Sequence, residues 1–123
     1  MANPNIINVT SIYGVTNYLV PSTTSITTWT ALTPAVGTVN KIDNIVAANV
    51  TAGAATVTVA INSAAAGAGT TYRLVYQVTV PINASIIVVD KSTSFYLGET
   101  QSVTVTVGTA SAIELTASYE AIT

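Results

Sequence analysis

Hydrophobic and polar side chains alternate with a period of two along most of the chain. In residues 56–62 the Val and Ile side chains fall on one face and the polar side chains on the other, and residues 102–107 and 113–120 repeat this pattern. Such alternation is typical of antiparallel strands with one buried face. Thr, Val and Ile dominate these segments, and their restricted χ1 angles favour strand over helix. The pattern therefore predicts an all-β chain.

Two other segments predict strands that are more deeply buried. Residues 86–89 are apolar without interruption, and residues 72–80 carry a row of large side chains on one face. That row consists of Tyr72, Leu74, Tyr76, Val78 and Val80. Further strands are expected near residues 40–51 and 94–98. Gly- and Pro-containing turns between such short strands predict an antiparallel β-sandwich, with either an immunoglobulin-like or a jelly-roll strand order.

The first 38 residues alternate less regularly and contain the isolated prolines Pro21 and Pro34. We therefore predict one domain with an N-terminal arm and irregular or edge-strand region at 1–38 and a β-sandwich body at 39–123. An extended arm that crosses to a neighbouring subunit and an edge-strand pair of the same sandwich are alternatives for the first region. Its large apolar and aromatic side chains are candidate interface residues, because such side chains are enriched at interfaces. These are Ile6, Ile7, Val9, Ile12, Tyr13, Tyr18 and Trp29.

The low charge content of the chain bears on whether its surface is exposed to solvent or covered by other proteins. Only 7% of the residues are charged, whereas a typical soluble domain has roughly 25%. One interpretation is an extracellular domain that tolerates an uncharged, Thr-rich surface. We favour the other, a surface covered in an oligomer or assembly, because small uncharged side chains pack without the desolvation cost of charges.

Charge and hydropathy also exclude two classes of partner. Three basic residues and a net charge of −2 argue against binding to nucleic acid, since phosphate contacts need a basic patch. No apolar run approaches the about 20 residues that a membrane-spanning helix requires. We expect neither nucleic acid nor a membrane as a partner.

The inventory of reactive side chains is small. The chain has no His and no Cys, which removes the usual general base, the common nucleophile pairs and ordinary zinc sites. The five acidic residues are scattered, as solvated surface charges are. We therefore predict a protein that is not an enzyme and has no cofactor, no metal and no catalytic residues.

Aromatic residues allow two interpretations. Tyr72, Tyr76 and Tyr119 fall on apolar strand faces, which predicts that they pack in the core. A carbohydrate-binding platform would instead require these tyrosines and Trp29 to be exposed together on one concave face. We expect core packing.

Several segments have a familiar pattern. They are the opening at 1–14, MANPNIINVTSIYG, the run at 41–50, KIDNIVAANV, and the segments FYLGETQSV at 95–103 and ASYE at 117–120. Together they resemble small virion structural proteins of tailed bacteriophages, notably of phages with marine and cyanobacterial hosts. The resemblance covers most of the chain and is weakest at 14–38 and 63–70.

The resemblance implies a location in the virion, with assembly in the host cytoplasm, and leaves head, neck and tail open. Our first expectation is a capsid decoration (cement) protein that stabilises the head by binding the shell. It would form a homo-oligomer, expected to be a homotrimer, on the major capsid protein. The alternative is a neck, tail or fibre component that acts as a receptor- or glycan-binding module.

Overall fold

The computed structural model describes residues 8–123, which form two antiparallel sheets packed against each other. The prediction of an all-β sandwich is confirmed. Three short 3-10 turns, at Thr30–Leu32, Ala65–Gly67 and Lys91–Thr93, lie between strands. The strands of this part of the chain are β1 (Ile12–Leu19), β2 (Thr27–Thr28), β3 (Val39–Asn49), β4 (Ala55–Asn62), β5 (Thr71–Val80), β6 (Ser85–Val89), β7 (Phe95–Leu97), β8 (Ser102–Val107) and β9 (Ile113–Ile122).

The strand order is that of a jelly roll. The first sheet has the order β1-β9-β3-β6, with the short β7 also paired to β3, and the second has the order β2-β8-β4-β5. With β7 set aside, the pairs β1–β9, β2–β8, β3–β6 and β4–β5 nest inside one another, as two Greek keys require. In an immunoglobulin sandwich the last two strands are neighbours in one sheet. Here β8 and β9 lie in different sheets, so the immunoglobulin-like alternative does not describe this chain.

Alternation places the core as the sequence predicts in three of the strands. The Val and Ile side chains of β4 and β8, and those of Ile113 and Leu115 in β9, point between the sheets, while most of the intervening Thr, Ser and Glu side chains point outward. A cluster of buried hydrophobic side chains lies between the sheets. Its largest fully buried members are Trp29, Leu32, Ile42, Ile45, Leu97, Ile113, Leu115, Val57, Val59, Val80, Val89 and Val103.

Residues 12–32 belong to the sandwich. β1 pairs with β9 in an unbroken register from Ile12 opposite Ile122 to Leu19 opposite Leu115, and β2 pairs with β8. The edge-strand alternative therefore describes these residues, and an extended arm does not. Residues 1–7, which include the candidates Ile6 and Ile7, lie outside the described residues.

Two bulges in β5 overturn part of the core prediction. Val57 pairs with Val78 but Val59 pairs with Val75, so β5 contains one extra residue there, and a second extra residue follows. Each bulge reverses the alternation of the residues beyond it. Consequently Leu74 and Val75, which are adjacent, both pack against the core.

The first bulge turns Tyr76 outward, whereas Tyr72 lies beyond both bulges, opposite Ile61, and is exposed at the start of the edge strand β5. Tyr72 is 63% exposed and Tyr76 is 59% exposed, so the prediction that they pack in the core is wrong. Tyr119 is buried as predicted, and its hydroxyl donates a hydrogen bond to the Ala31 carbonyl at 3.0 Å. Gln77 occupies the bulge with a φ of 47°, and its backbone N–H donates to Thr58 Oγ1 at 2.8 Å.

Candidate functional site

The open edge of the first sheet is the first candidate site. β1 pairs with β9 on one side, and no strand of residues 8–123 covers its other side. Proteins usually protect such an edge with charged residues, proline or a bulge, because the free N–H and C=O groups can pair with another chain. β1 contains no charged residue and no proline, and its register has no bulge. Its eight residues therefore form an unprotected edge.

Three of the predicted interface residues lie exposed on this strand. Ile12, Tyr13 and Tyr18 are exposed, with Tyr18 the most at 73%, and Val9 is half-buried just before the strand. The alternate residues Val15 and Leu19 pack against the core. β1 thus holds one set of apolar side chains inside the sandwich and presents another to its surroundings.

Trp29 lies in the core, only 1% exposed, and is therefore not available as a surface anchor. Its backbone N–H donates to the Val103 carbonyl at 2.8 Å, which places the residue between the sheets directly after β2. Leu32, three residues later, is buried beside it in the same cluster. A spacing of three matches the 3-10 turn that starts at Thr30, since side chains at i and i+3 eclipse in that turn. The spacing between Trp29 and Leu32 is the feature of the sequence from which the burial of Trp29 could have been predicted.

An apolar row continues from β1 across the outer face of the first sheet. The strand registers place Tyr18, Thr116, Val46 and Ile87 side by side on β1, β9, β3 and β6. Ile87 is 65% exposed, so the prediction of deep burial is wrong for this residue. Ile87 is exposed because it points to the outer face, beside Val46, on β6, which is an edge strand of the sheet. We call the exposed residues Ile12 and Tyr18 together with Val46 and Ile87 the sheet-one surface; Tyr13 is exposed but lies on the opposite face of β1, with Val15.

Charged side chains farther along the first sheet form ion pairs with Lys41. Lys41 Nζ lies 3.6 Å from Asp43 Oδ1 and 3.7 Å from Glu120 Oε2. Glu99 Oε2 accepts a hydrogen bond from the Gly37 backbone N–H at 2.9 Å. These carboxylates hold the fold together locally. In the part of the chain that the structure describes, no group of three or more potential ligands could hold a metal ion.

Asp90 caps the 3-10 turn after β6. Its Oδ1 accepts hydrogen bonds from the Ser92 hydroxyl at 2.6 Å and the Ser92 N–H at 2.9 Å. These bonds favour the ionised carboxylate and hold the pKa of Asp90 below its usual value of 3.8. The stability that this cap contributes is therefore present above the usual pKa and is lost as the pH falls through the lowered pKa.

We expect an NMR titration of the Asp90 side-chain carboxyl carbon to give a midpoint below 3.8. In Ser92→Ala the hydroxyl donor is gone, so the midpoint should rise toward the usual value, while Ser94→Ala should leave it in place. A midpoint that is normal in the parent chain, or the same in both variants, would contradict this assignment.

A groove on the outer face of the second sheet is the second candidate site. Its volume is about 240 Å³. β4 and β8 form a floor rich in threonine, and β5 forms one wall because its bulge raises Tyr76 and Gln77 beside that floor. The lining includes Thr58, Asn62, Thr106, Arg73, Tyr76 and Gln77.

The loop at 63–70 closes one end of the groove through a buried hydrogen-bond network. Asn62 is its centre. Asn62 Nδ2 donates to the Gly67 carbonyl at 3.0 Å and to Thr71 Oγ1 at 2.9 Å, and Asn62 Oδ1 accepts from Thr104 Oγ1 at 2.8 Å. The Gly67 N–H donates to Ser102 Oγ at 2.9 Å. These bonds hold the loop against the face of the sheet.

Gly67 allows this close approach. Its φ is +77°, and a Cβ there would lie 3.0 Å from Thr28 Oγ1 and 3.2 Å from Thr104 Cγ2. A side chain would therefore be strained and crowded at once. The sequence pattern did not predict this groove.

Comparison with protein families, with curated proteins and with solved structures finds no match to this chain. Within residues 8–123 no helix is long and apolar enough to cross a membrane.

Proposed function

We propose that this chain is a bacteriophage virion structural protein, and specifically a capsid decoration (cement) protein that stabilises the head by binding the shell. The observation that carries the proposal is the sheet-one surface, an uncharged edge strand continued by an exposed apolar row. The sequence resemblance to phage virion proteins supports the same role. Jelly rolls also occur in viral capsid proteins, although they occur in lectins too, so the fold alone is an analogy.

The physical case rests on what an interface needs. A stable protein–protein contact removes roughly 800 Å² from each partner, and this chain has 6412 Å² of accessible surface. Tyr18 and Ile87 lie at the two ends of the row that also contains Thr116 and Val46, and none of these side chains carries a charge that would have to be desolvated. The free edge of β1 adds backbone hydrogen bonds of the kind that join strands between chains.

The proposed partners are other copies of this chain and the major capsid protein. A homotrimer is a closed ring, so the surface of one copy must contact a different surface of the next. In the proposed particle the protein does no chemistry, binds no cofactor and contacts neither nucleic acid nor a membrane.

We expect Tyr18→Lys to weaken both self-association and binding to purified capsids by at least about tenfold, because a charge would be buried without a partner. Tyr72→Lys is the matched control, since Tyr72 is similarly exposed but lies on β5 of the other sheet. Native mass spectrometry and co-sedimentation with capsids are the measurements, with circular dichroism to verify the fold. A parent chain that stays monomeric and ignores capsids, or equal loss in both variants, would refute the proposal.

The neck, tail or fibre alternative is favoured by the groove on the second sheet. The aromatic platform envisaged for it does not form, because Trp29 is in the core. Tyr76 is the aromatic side chain that reaches the groove. Cryo-electron microscopy of the particle separates the two: many copies on the head support the decoration role, and a few copies at the neck or tail support the alternative.

A further inference from the structure

We propose that the groove on the second sheet is a binding site for an acidic saccharide, a sugar ring that carries a carboxylate. Arg73 is the one charged side chain of the groove lining. Both ion pairs found within residues 8–123 belong to Lys41 instead. An exposed guanidinium that has no carboxylate partner in this part of the chain is free to take one from a ligand.

Arg73 is also held in position. Its guanidinium carbon lies 5.0 Å from the centroid of the Tyr76 ring. This cation–π contact restricts the conformations of the Arg73 side chain before a ligand binds. Less conformational entropy is therefore lost on binding. A guanidinium presents parallel N–H donors that match the two oxygens of a carboxylate. The groove therefore offers an ordered carboxylate receptor at one wall.

The remaining lining matches the hydroxyl groups of a sugar. Thr58 Oγ1 already accepts the Gln77 backbone N–H, which leaves the Thr58 hydroxyl proton to donate outward. The side chains of Thr106 and Gln77 make no hydrogen bond to another residue of 8–123, so their donors and acceptors face the groove. Ligand sites generally orient their occupant with a few such polar groups.

Tyr76 supplies the apolar contact. Its ring is 59% exposed in the groove wall, and because the Arg73 guanidinium lies over one face, the rest of the exposed ring is the surface offered to the C–H face of a pyranose. A volume of about 240 Å³ is smaller than the roughly 300–1,000 Å³ of drug-sized pockets. The groove accordingly fits about one sugar ring. A single arginine is too little positive charge for nucleic acid, whose affinity depends on many phosphate contacts.

The groove and the sheet-one surface lie on opposite faces of the sandwich. If the sheet-one surface binds the shell, as proposed above, the groove points away from the particle and toward acidic polysaccharide on a host surface. That orientation rests on the proposed function. The binding of the saccharide does not, and it is tested on the isolated protein.

The test is a titration of the full chain with methyl glucuronide, followed by ¹H–¹⁵N NMR, with methyl glucoside and inorganic phosphate as comparison probes. We expect saturable shifts at the backbone amides of Thr58, Arg73 and Gln77, and binding of the glucuronide that is about tenfold tighter than that of the glucoside. Arg73→Gln should remove this preference. Tyr76→Leu should weaken both sugars, and Lys91→Gln, which removes an exposed cation elsewhere, should change neither.

Three results would overturn the proposal. Shifts that do not saturate or that cluster away from the groove would show that the groove is not the site. Equal affinity for the glucoside would refute selection of an acidic ligand. Phosphate binding as tight as that of the glucuronide would reduce the groove to a simple anion site. Thermal unfolding of each variant distinguishes loss of binding from loss of fold, and failure of capsid binding has no bearing on these outcomes.

Discussion

Replacing Trp29 with alanine is expected to lower the free energy of unfolding by about 3–5 kcal/mol. The indole is almost completely buried in the cluster that joins the two sheets. Its removal leaves a large cavity lined by side chains that cannot collapse into it. A domain of this length has a total stability of roughly 6–18 kcal/mol, so the loss is a substantial fraction of the whole.

Trp29→Phe tests how much of the stability depends on the volume of the buried side chain. The indole N–H is buried without a hydrogen-bond partner in residues 8–123, so phenylalanine sacrifices no hydrogen bond and should cost only about 1–2 kcal/mol. Urea unfolding followed by circular dichroism is the measurement, because either substitution removes the chain's single tryptophan fluorophore. Tyr18→Ala, at an exposed position, should stay within about 0.5 kcal/mol of the parent. If Trp29→Ala were as stable as Tyr18→Ala, the indole would be a surface group after all.

The second large effect is expected at Asn62, where alanine should cost about 2–3 kcal/mol. The substitution removes two donors and one acceptor at once. It leaves the Thr104 hydroxyl and the Gly67 carbonyl without these bonds near a buried position, and each unsatisfied group costs about 1–3 kcal/mol if water cannot reach it. Urea unfolding measures the loss. Thr106→Val is the matched control on the same face, because Thr106 makes no hydrogen bond to another residue of the described part.

Asn62→Asp should make the free energy of unfolding depend on pH. A carboxylate would replace the amide that donates to the Gly67 carbonyl. Burial against this acceptor would raise the pKa of the new acid, although the Thr104 hydroxyl can still donate to it. A raised pKa in the folded state means that the protonated form is favoured by folding. The variant should therefore recover stability as the pH falls. A stability deficit that is independent of pH would contradict the view that this position is buried and rich in acceptors.

The sequence predicted those parts of the fold in which each strand keeps one buried face. β4, β8 and β9 satisfy that condition, and their alternation placed the core directly. β5 does not, because two bulges shift its alternation, and a residue such as Gln77 with positive φ has no sequence signature comparable to glycine. The exposure of Ile87 depends on strand order, which is set by pairing between distant segments.

The residues of the candidate sites also differ in how well the sequence predicted their positions. Ile12, Tyr13 and Tyr18 were expected on a surface because their region is irregular in pattern and rich in apolar residues, and the structure places them there. Trp29 was misplaced because the same irregularity hid a short turn that points inward. The groove could not be predicted, since its walls come from separate strands and from a loop that only tertiary contacts position.

The pairing of β1 with β9 has a consequence for synthesis of the chain. Ile12 lies opposite Ile122, so the partner strand of β1 leaves the ribosome about 100 residues later, or roughly 5–20 s later at 5–20 residues per second. During that time the uncharged strand lacks its partner in the sheet, and no charged side chain occurs in residues 12–40. Contacts so distant in sequence also slow folding. The nascent chain is thus most vulnerable to aggregation through β1, the strand that the proposed assembly later uses.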